Sequence, residues 1–391
     1  MKTALFNIHD LILVLTLAVC FLLMVFQLLL SRQKTIASYL LSGFFLCVGA
    51  NALCNLLLWN NYIHLHSFLA RYFLVYGLAI SVIGKGIFLF WYVQAITREN
   101  FALTPQKMLH SIALAIVLVM LISADVDSDA LRFLSVAQTS PNERVVHWLW
   151  HLLKIIPVIY AIAVVIIAQR YKQYLKNFYS NLQLQGPEGL MLLTLGFAVS
   201  WGWSLLVHIL GQFLSTDLVD SFGIAENYIT FVLLNALFLY SLLYAHELIE
   251  TKVKIKEKES SPTPAPNKNA IERIQQAMEI DQLYLKHNLN IETFSKKIDM
   301  NYREVSSIIN NHFGTNFFEF VNEYRVNKAK AMLIDPIFAE KTILYILLEC
   351  GFNSKSSFHR FFKRYTNMTA ADFRKEQASN SNINSQIKPV N

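Results

Sequence analysis

The sequence predicts an all-α protein in two parts, a seven-helix transmembrane bundle followed by a smaller, charged helical domain. Two observations predict it: seven long apolar runs in the first part of the chain, and two helix–turn–helix patterns near its end. The charge divides in the same place. Residues 1–251 hold 13 Lys and Arg with 12 Asp and Glu, whereas the much shorter 270–391 holds 16 and 13. The two parts are therefore built for different solvents.

The apolar runs are each long enough to cross a bilayer as a helix, which takes about 20 residues for a hydrocarbon core of ~30 Å. We expect the first run to be retained as a span. Its apolar core is too long for a cleaved signal peptide, and Leu30-Ser31-Arg32 offers no small-residue cleavage site. The seven runs are Leu11–Leu30, Ile36–Leu58, Tyr72–Ile96, Met108–Ala124, Val145–Ala168, Leu190–Leu214 and Ile224–Ala245.

Basic residues are shared unevenly between the connecting loops. Because cytoplasmic loops collect Lys and Arg, the richer, odd-numbered loops are predicted to lie in the cytoplasm. We therefore expect a multi-pass protein of the inner (cytoplasmic) membrane, with its N-terminus outside and its C-terminal domain in the cytoplasm. The odd loops carry Arg32, Lys34, Arg98, Lys107, Arg170, Lys172 and Lys176, against Arg71, Arg132 and Arg144 in the even loops.

A few ionisable residues interrupt the spans. Each costs roughly 2.5–3.5 kcal/mol on insertion scales, so such residues usually face the bundle interior or a pocket. Lys85 lies deep in the third run. On the fifth run, His147, His151 and Lys154 share one helix face. The alternative is that residues near the span ends reach the membrane surface. The predicted ligand pocket consists of His147, His151, Lys154, His208 and Glu226.

Metal and catalytic chemistry are not indicated. The four cysteines form neither a CxxC pair nor a zinc spacing, and free Cys in an apolar run behaves as a small hydrophobic residue. His147 and His151 have no third ligand at a metal-binding spacing. There is no HExxH, no Gly-rich phosphate loop and no catalytic arrangement of Ser, Cys or Asp. We expect no metal, no cofactor and no enzymatic activity.

The predicted domains are a seven-span domain over 1–246 and a C-terminal domain over 271–377. Between them, 247–270 is predicted as a cytoplasmic helical extension and a Pro-rich linker, and 378–391 as a disordered polar tail. A 4-3-4 spacing at the start of the extension, too short to define a coiled coil, leaves a homodimer open. Its residues are Leu242, His246, Ile249 and Val253.

The C-terminal domain alternates helical periodicity with short polar breaks. Each helix–turn–helix unit consists of a short helix, a tight turn and a second helix. The first unit is Ile291–Ile298 and Tyr302–His312, ended by Gly314 as a left-handed cap. A first amphipathic helix is predicted over Ile271–Lys286, a linking helix over Asn316–Leu333, the second unit over Ile343–Glu349 and Ser354–Tyr365, and a closing helix over Met368–Lys375.

In the second helix–turn–helix unit, Gly351-Phe352, Phe358, Arg360 and Phe362-Lys363 follow the pattern GFx(S/D)xSxFxRxFK, and Arg325, Ala329 and Leu333 recur along the linking helix before it. In these positions the sequence resembles the AraC/XylS family of transcription regulators. The resemblance covers Ile271 to Lys375, about a quarter of the chain. It implies two recognition helices in successive major-groove turns of double-stranded DNA, and contact with RNA polymerase.

Three positions depart from this pattern. Asn367 replaces a Gly and Ala370 replaces a Pro, and both changes are mild, because Asn tolerates the left-handed conformation and Ala can begin a helix. Leu347 replaces a small Ala at a helix crossing. We expect this larger side chain to push the two helices of the second unit apart or to need a small partner.

The predicted DNA contacts lie on the exposed faces of the two recognition helices. Arg pairs with guanine, Ser and His form less selective bonds, and basic side chains bind phosphate. Residues 351–375 hold six Lys and Arg against one Asp, which favours salt-dependent affinity. The contact residues are Arg303, Ser306, Ser307 and Asn310 on the first helix, and Lys355, Ser356, His359, Arg360, Lys363 and Arg364 on the second.

Together these features predict a membrane-embedded one-component transcription regulator. A signal at the membrane domain, such as a small-molecule ligand, would change sequence-specific DNA binding by the C-terminal domain. Its expected partners are double-stranded DNA and the lipid bilayer. The alternative is a transporter or channel-like protein with a helical regulatory or protein-interaction appendage, although no internal repeat typical of transporters is visible.

Overall fold

The structure is a computed structural model, and it describes residues 7–29, 36–60, 68–98, 101–128, 131, 141–182, 187–213, 216–240 and 268–377. Within these ranges the chain is helical, with no strand longer than an isolated bridge. The all-α prediction is therefore confirmed. The seam predicted from Leu242 to Val253, the part of the predicted linker 247–270 that precedes Lys268, and the tail predicted over 378–391 lie outside the described residues. A helix begins at Lys268, three residues before the predicted end of the linker.

The chain divides into two compact units. The first contains residues 1–171 and 185–257, and the second contains 172–184 and 258–391. Residues 172–184 fall within the seven-span domain predicted over 1–246. This segment follows the fifth apolar run, and it belongs to the C-terminal unit.

The first unit contains eight helices within the described residues. Seven helical stretches are long and apolar enough to cross a membrane, α4 and α5 together counting as one of them. At 35 residues, α6 is about 50 Å long, well beyond the hydrocarbon core, and it contains Pro157. The helices are α1 (Ile8–Leu29), α2 (Ile36–Trp59), α3 (Phe68–Thr97), α4 (Pro105–Met108), α5 (Ser111–Ser123), α6 (Pro141–Leu175), α7 (Pro187–Leu210) and α8 (Thr216–Tyr240).

Packing in the first unit is close where small residues meet. Helix α2 lies against α1 and α3, and α8 lies against α1 and α7. A Cβ added to Gly84 would lie 2.7 Å from the Sγ of Cys47, so α2 and α3 approach too closely for a larger residue. The outer surface is apolar, since Phe73 and Leu192 are 80% and 71% exposed. An apolar exterior of this kind suits contact with lipid.

The second unit contains short helices around a long one. Its core joins residues of the first helix–turn–helix unit to both flanking helices. Helices α9 (Lys268–Glu279), α10 (Ile291–Lys297), α11 (Tyr302–Asn311), α12 (Phe317–Ile334), α13 (Ile343–Glu349) and α14 (Lys355–Thr366) are followed by α15 at 370–377.

Polar caps fix where these helices begin. The side-chain oxygens of Asn290, Asn301, Asn316, Thr342 and Ser354 each accept a hydrogen bond from an amide of the following first turn. Such caps satisfy amides that have no acceptor within the helix. All four helices of the two helix–turn–helix units, and the linking helix, therefore begin at a residue whose type specifies the start.

One predicted helix was wrong in its second half. The periodicity predicted a helix over Ile271–Lys286, whereas α9 ends at Glu279 and a short 3₁₀ turn follows. Gln282 takes a left-handed conformation at φ 49°, which interrupts the helix. The apolar spacing continued through this break because Leu283 and Tyr284 are buried in the turn.

The second helix–turn–helix unit accommodates Leu347. This side chain is 1% exposed, and α13 and α14 still pack against each other. The turn between them depends on Gly351, at φ 84°, where an added Cβ would lie 2.7 Å from the carbonyl oxygens of Tyr284 and Leu285. Asn367 takes the left-handed conformation at φ 61°.

Candidate nucleic-acid interface and charged cavity

The two recognition helices, α11 and α14, each bury one face and expose the other. The buried residues recur every three or four positions, as on one side of an amphipathic helix. The predicted DNA contacts share the opposite sides. The buried positions are Val305, Ile308 and Ile309 on α11, and Phe358, Phe361 and Phe362 on α14.

The exposed side of α11 is polar with a single cation. Arg303 and Asn310 are exposed, while Ser306 and Ser307 are half-buried. The Arg303 Nε donates to the Tyr302 hydroxyl at 3.3 Å, and the Asn310 amide lies 3.4 Å from the Ser306 Oγ. Guanidinium and amide groups of this kind make paired hydrogen bonds with purine edges.

The exposed side of α14 is more basic. Lys355, Ser356, His359, Arg360 and Lys363 are all exposed. Since α14 carries these cations on one face, it can combine base contact with attraction to phosphate.

Arg364 is placed differently from the other predicted contacts. Its guanidinium binds the Glu319 carboxylate on α12 and lies 4.7 Å from the centre of the Phe361 ring. The Lys176 ammonium lies 4.0 Å from the same carboxylate. Arg364 therefore ties α14 to the linking helix, and phosphate would have to compete with Glu319 for it.

A buried arginine lies at the centre of the second unit. Arg325 on α12 is 1% exposed, and its Nε and Nη2 donate to the carbonyl oxygens of Tyr284 and Lys286, both at 2.7 Å. Burial lowers its pKa to about 10, and its hydrogen-bond acceptors in the described part of the chain are carbonyl, amide and hydroxyl oxygens. A planar guanidinium can bridge several fixed acceptors at once, so Arg325 joins the turn after α9 to the linking helix.

The first unit contains a cavity of about 430 Å³, including its open mouth. It lies between α2, α3, α6, α7 and α8, and charged and aromatic groups share its wall. The lining residues are Asn51, Asn55, Leu78, Val82, Lys85, Trp150, Leu153, Lys154, Pro157, Trp201, Ser204 and Glu226.

Two lysines meet one carboxylate in this cavity. The Nζ atoms of Lys85 and Lys154 lie 3.9 Å and 3.7 Å from the carboxylate oxygens of Glu226. Lys154 also donates to the Ser204 hydroxyl at 2.6 Å, and the Lys85 ammonium lies 5.4 Å from the centre of the Trp201 ring. With all three groups ionised, the cluster carries one excess positive charge.

Two buried polar atoms at the cavity have no hydrogen-bond partner among the residues that the structure describes. They are the Asn51 Oδ1, an acceptor, and the Trp150 Nε1, a donor. Pro157 has no amide hydrogen, so it cannot donate to the carbonyl of Leu153 as a helical residue ordinarily would. Unpaired buried polar groups are costly and mark places where a water or a ligand completes the bonding.

The five residues predicted to form one pocket fall into two groups. Lys154 and Glu226 line the cavity, whereas the three histidines form a separate cluster. The His208 Nε2 lies 2.8 Å from the His151 Nδ1, and the His147 and His151 rings are 4.5 Å apart. Among the described residues, no group of three metal-binding side chains is present. Lys85 was absent from the predicted set, although its depth in the third span marked it.

Residues 294–376 match the family model of a helix-turn-helix domain. Together with the two capped units and their exposed polar faces, this match defines the class of the domain. The C-terminal domain is a helix-turn-helix domain of the AraC type, as its sequence predicted.

The chain is also similar to uncharacterized HTH-type transcriptional regulators of Staphylococcus aureus, among them those of strains COL and MSSA476. Each is 27% identical to it over 103 residues, which is 26% of this chain and 13% of the relative. The chain thus spans only a small part of the curated relatives it matches. No solved structure matches it.

Proposed function

We propose that the protein is a membrane-embedded, one-component transcription regulator. Seven apolar helices hold it in the inner membrane with the N-terminus outside, and the C-terminal domain binds double-stranded DNA in the cytoplasm. A signal at the membrane unit changes that DNA binding, and RNA polymerase contact follows from the family resemblance. The proposal leaves a homodimer open.

One observation carries the DNA-binding part. Two helices, α11 and α14, bury apolar faces in a single compact unit and expose polar and basic faces. A helix with an exposed face of this kind fits the major groove, and the basic charge supplies affinity for the phosphate backbone. The similar regulators, which are named as HTH-type transcriptional regulators, support the same conclusion.

A footprint tests this function directly. The full chain in lipid nanodiscs, used to select duplexes from a random library, is expected to enrich one sequence and to protect two adjacent major-groove turns. These should lie about 10 base pairs apart, because successive turns of B-DNA are spaced so. Affinity should fall steeply with salt. A chain that enriches no sequence would support the alternative of a membrane transporter with a protein-interaction appendage.

We also propose that the cavity beside Lys154 and Glu226 is the signal site. Its excess positive charge and the Trp150 donor favour a small molecule with an anionic group, and its tryptophans favour an apolar or aromatic body. The cavity lies among helices that span the membrane. A ligand there can shift the protein only by binding two of its states unequally.

Benzoate is a suitable probe of this site. We expect it to change the tryptophan fluorescence of the full chain in nanodiscs, because Trp150 and Trp201 line the cavity. Replacing Lys154 by Met should weaken the response at least tenfold, since one cation is lost. The matched control is Ile155→Met at the neighbouring, 40% exposed position. An equal response to benzyl alcohol, or an unchanged response in Lys154→Met, would contradict an anion site.

A further inference from the structure

The segment directly after α6 belongs to the compact unit of the DNA-binding domain. Residues 172–184 cluster with 258–391, although more than 70 residues separate the two stretches along the chain. We call the described part, 172–182, the strap. It begins within the last turn of α6, so the fifth predicted span and the strap are continuous in sequence.

The strap supplies acceptors to two helix N-termini. The carbonyl of Phe178 accepts from the Ile291 amide at 2.8 Å, and the carbonyl of Lys176 accepts from the Phe318 amide at 2.8 Å. Ile291 begins α10, and Phe318 lies in the first turn of α12. Amides in a first turn have no acceptor in their own helix. The strap therefore complements the caps that Asn290 and Asn316 provide.

Ser180 extends the strap into the interior. Its amide and hydroxyl both donate to the Leu289 carbonyl, at 3.1 Å and 2.6 Å. Its carbonyl accepts from the side-chain amide of Asn322 at 3.0 Å, and its hydroxyl accepts from the Arg325 Nη2 at 3.3 Å. Ser180, Asn322 and Arg325 are all at most 2% exposed. A buried and paired polar network of this kind specifies one arrangement.

The strap touches both helix–turn–helix units. Phe178 packs on the core around the first helix–turn–helix unit, and its ring lies 6.4 Å from that of Tyr302 at the start of α11. Asn181 donates to the Asn353 side chain at 2.6 Å, in the turn that precedes α14. The strap thus bridges two units that are otherwise joined along the chain through α12.

The docked strap also adds positive charge beside α14. Burial lowers the pKa of Lys176, and the nearby positive charges of Arg364, Lys172 and Arg360 lower it further. Meanwhile Arg303 and Arg360 stay exposed with the strap in place. The strap therefore leaves the predicted base-contact faces open.

We propose that the strap is an intramolecular ligand of the DNA-binding domain, and that its docking holds the two helix–turn–helix units in the arrangement that binds DNA. Movement of α6 would release or seat it, so the fifth span would control DNA affinity directly. This inference rests on the proposed function, and it concerns the route by which a signal reaches DNA. Holding both helix–turn–helix units in place before DNA binds raises affinity, because less conformational entropy is then lost on binding.

The first test weakens docking. In the full chain in nanodiscs, the double variant Phe178→Ala and Ser180→Ala is expected to bind the selected duplex at least tenfold more weakly than the wild type. Hydrogen exchange at Ile291 and Phe318 should become faster at the same time. The matched control is Leu344→Ala, which shortens a 44% exposed apolar side chain of α13. Unchanged DNA affinity, or higher affinity, in the double variant would overturn the proposal.

The second test locks the strap without weakening the core. Asn181→Cys and Asn353→Cys, joined by a short bis-maleimide, should keep at least wild-type DNA affinity and lose any response to the membrane signal. The four native cysteines are buried, and burial raises the pKa of Cys350 to about 12, so the new pair should react selectively.

The outcomes of these tests are separable from those of the footprint. A tenfold loss of affinity on cross-linking would show that docking inhibits DNA binding, and would overturn the inference. If the wild-type chain itself selects no sequence, the proposed function fails, whatever the strap does. If the wild type selects a sequence and both strap experiments leave affinity unchanged, only the inference fails.

Discussion

Arg360→Ala in the full chain is expected to lower affinity for the selected duplex by about 5- to 150-fold. A well-placed bidentate contact with a base contributes roughly 1–3 kcal/mol of discrimination, and 1.4 kcal/mol is a tenfold change. Arg360 is exposed on α14, in the middle of the face that opposes Phe358 and Phe362. Affinity for random DNA should fall much less, because only one cation is lost.

Two matched variants separate base contact from charge. Arg360→Lys keeps the charge but loses the planar fork, so it should relax sequence preference while leaving affinity for random DNA unchanged. Lys330→Ala removes a cation from α12, which is not a recognition helix, and sequence preference should be retained. Equal losses on selected and random duplexes in Arg360→Ala would instead assign Arg360 to phosphate binding. Fluorescence anisotropy at several salt concentrations measures all three variants.

Arg325→Leu is expected to destabilise the second unit by about 3–5 kcal/mol. The change leaves the buried Tyr284 carbonyl without its Arg325 donor, and such a group costs roughly 1–3 kcal/mol. It also removes one of two donors to the Lys286 carbonyl, the other being the Leu289 amide. The leucine side chain is also smaller than the arginine side chain that it replaces. Amides of α12 should then exchange with solvent on the order of 10²–10³ times faster, because 1.4 kcal/mol is a factor of ten.

The control lies on the same helix. Asn327→Leu changes an exposed position of α12, and exchange there should stay within about threefold of the wild type, as for most surface substitutions. Arg325→Lys should fall between the two, since an ammonium cannot span both carbonyls. If Arg325→Leu exchanged like the control, the buried guanidinium would have no structural role. Hydrogen exchange with mass spectrometry measures the three variants in the intact chain.

Local sequence chemistry predicted much of the C-terminal domain. Gly314 was predicted as a left-handed cap and Asn367 as tolerating the left-handed conformation, and both residues take that conformation in the structure. These features depend on one residue and its immediate neighbours, so they can be read without a fold. The helix predicted over Ile271–Lys286 was wrong beyond Glu279, because burial of Leu283 and Tyr284 in a turn imitates helical spacing.

The candidate cavity shows the same division at longer range. Periodicity placed His147, His151 and Lys154 on one face of α6, which predicted that they share surroundings. Periodicity could not predict which of the three lines the cavity. Lys154 contacts Ser204 and Glu226 on other helices, whereas His151 contacts His208. Lys85 joins the cavity only through the packing of α3 against its neighbours. Which polar groups meet depends on how the helices pack.

The sequence by itself determined that this is an all-α chain with seven apolar runs and two helix–turn–helix units, because hydropathy and capping are local properties. Only the tertiary structure decided that the strap belongs with the DNA-binding domain. Lys176, Phe178 and Ser180 form no motif, and all three dock through backbone carbonyls, which every residue has. Their partners lie more than 100 residues away, so no local pattern could indicate them.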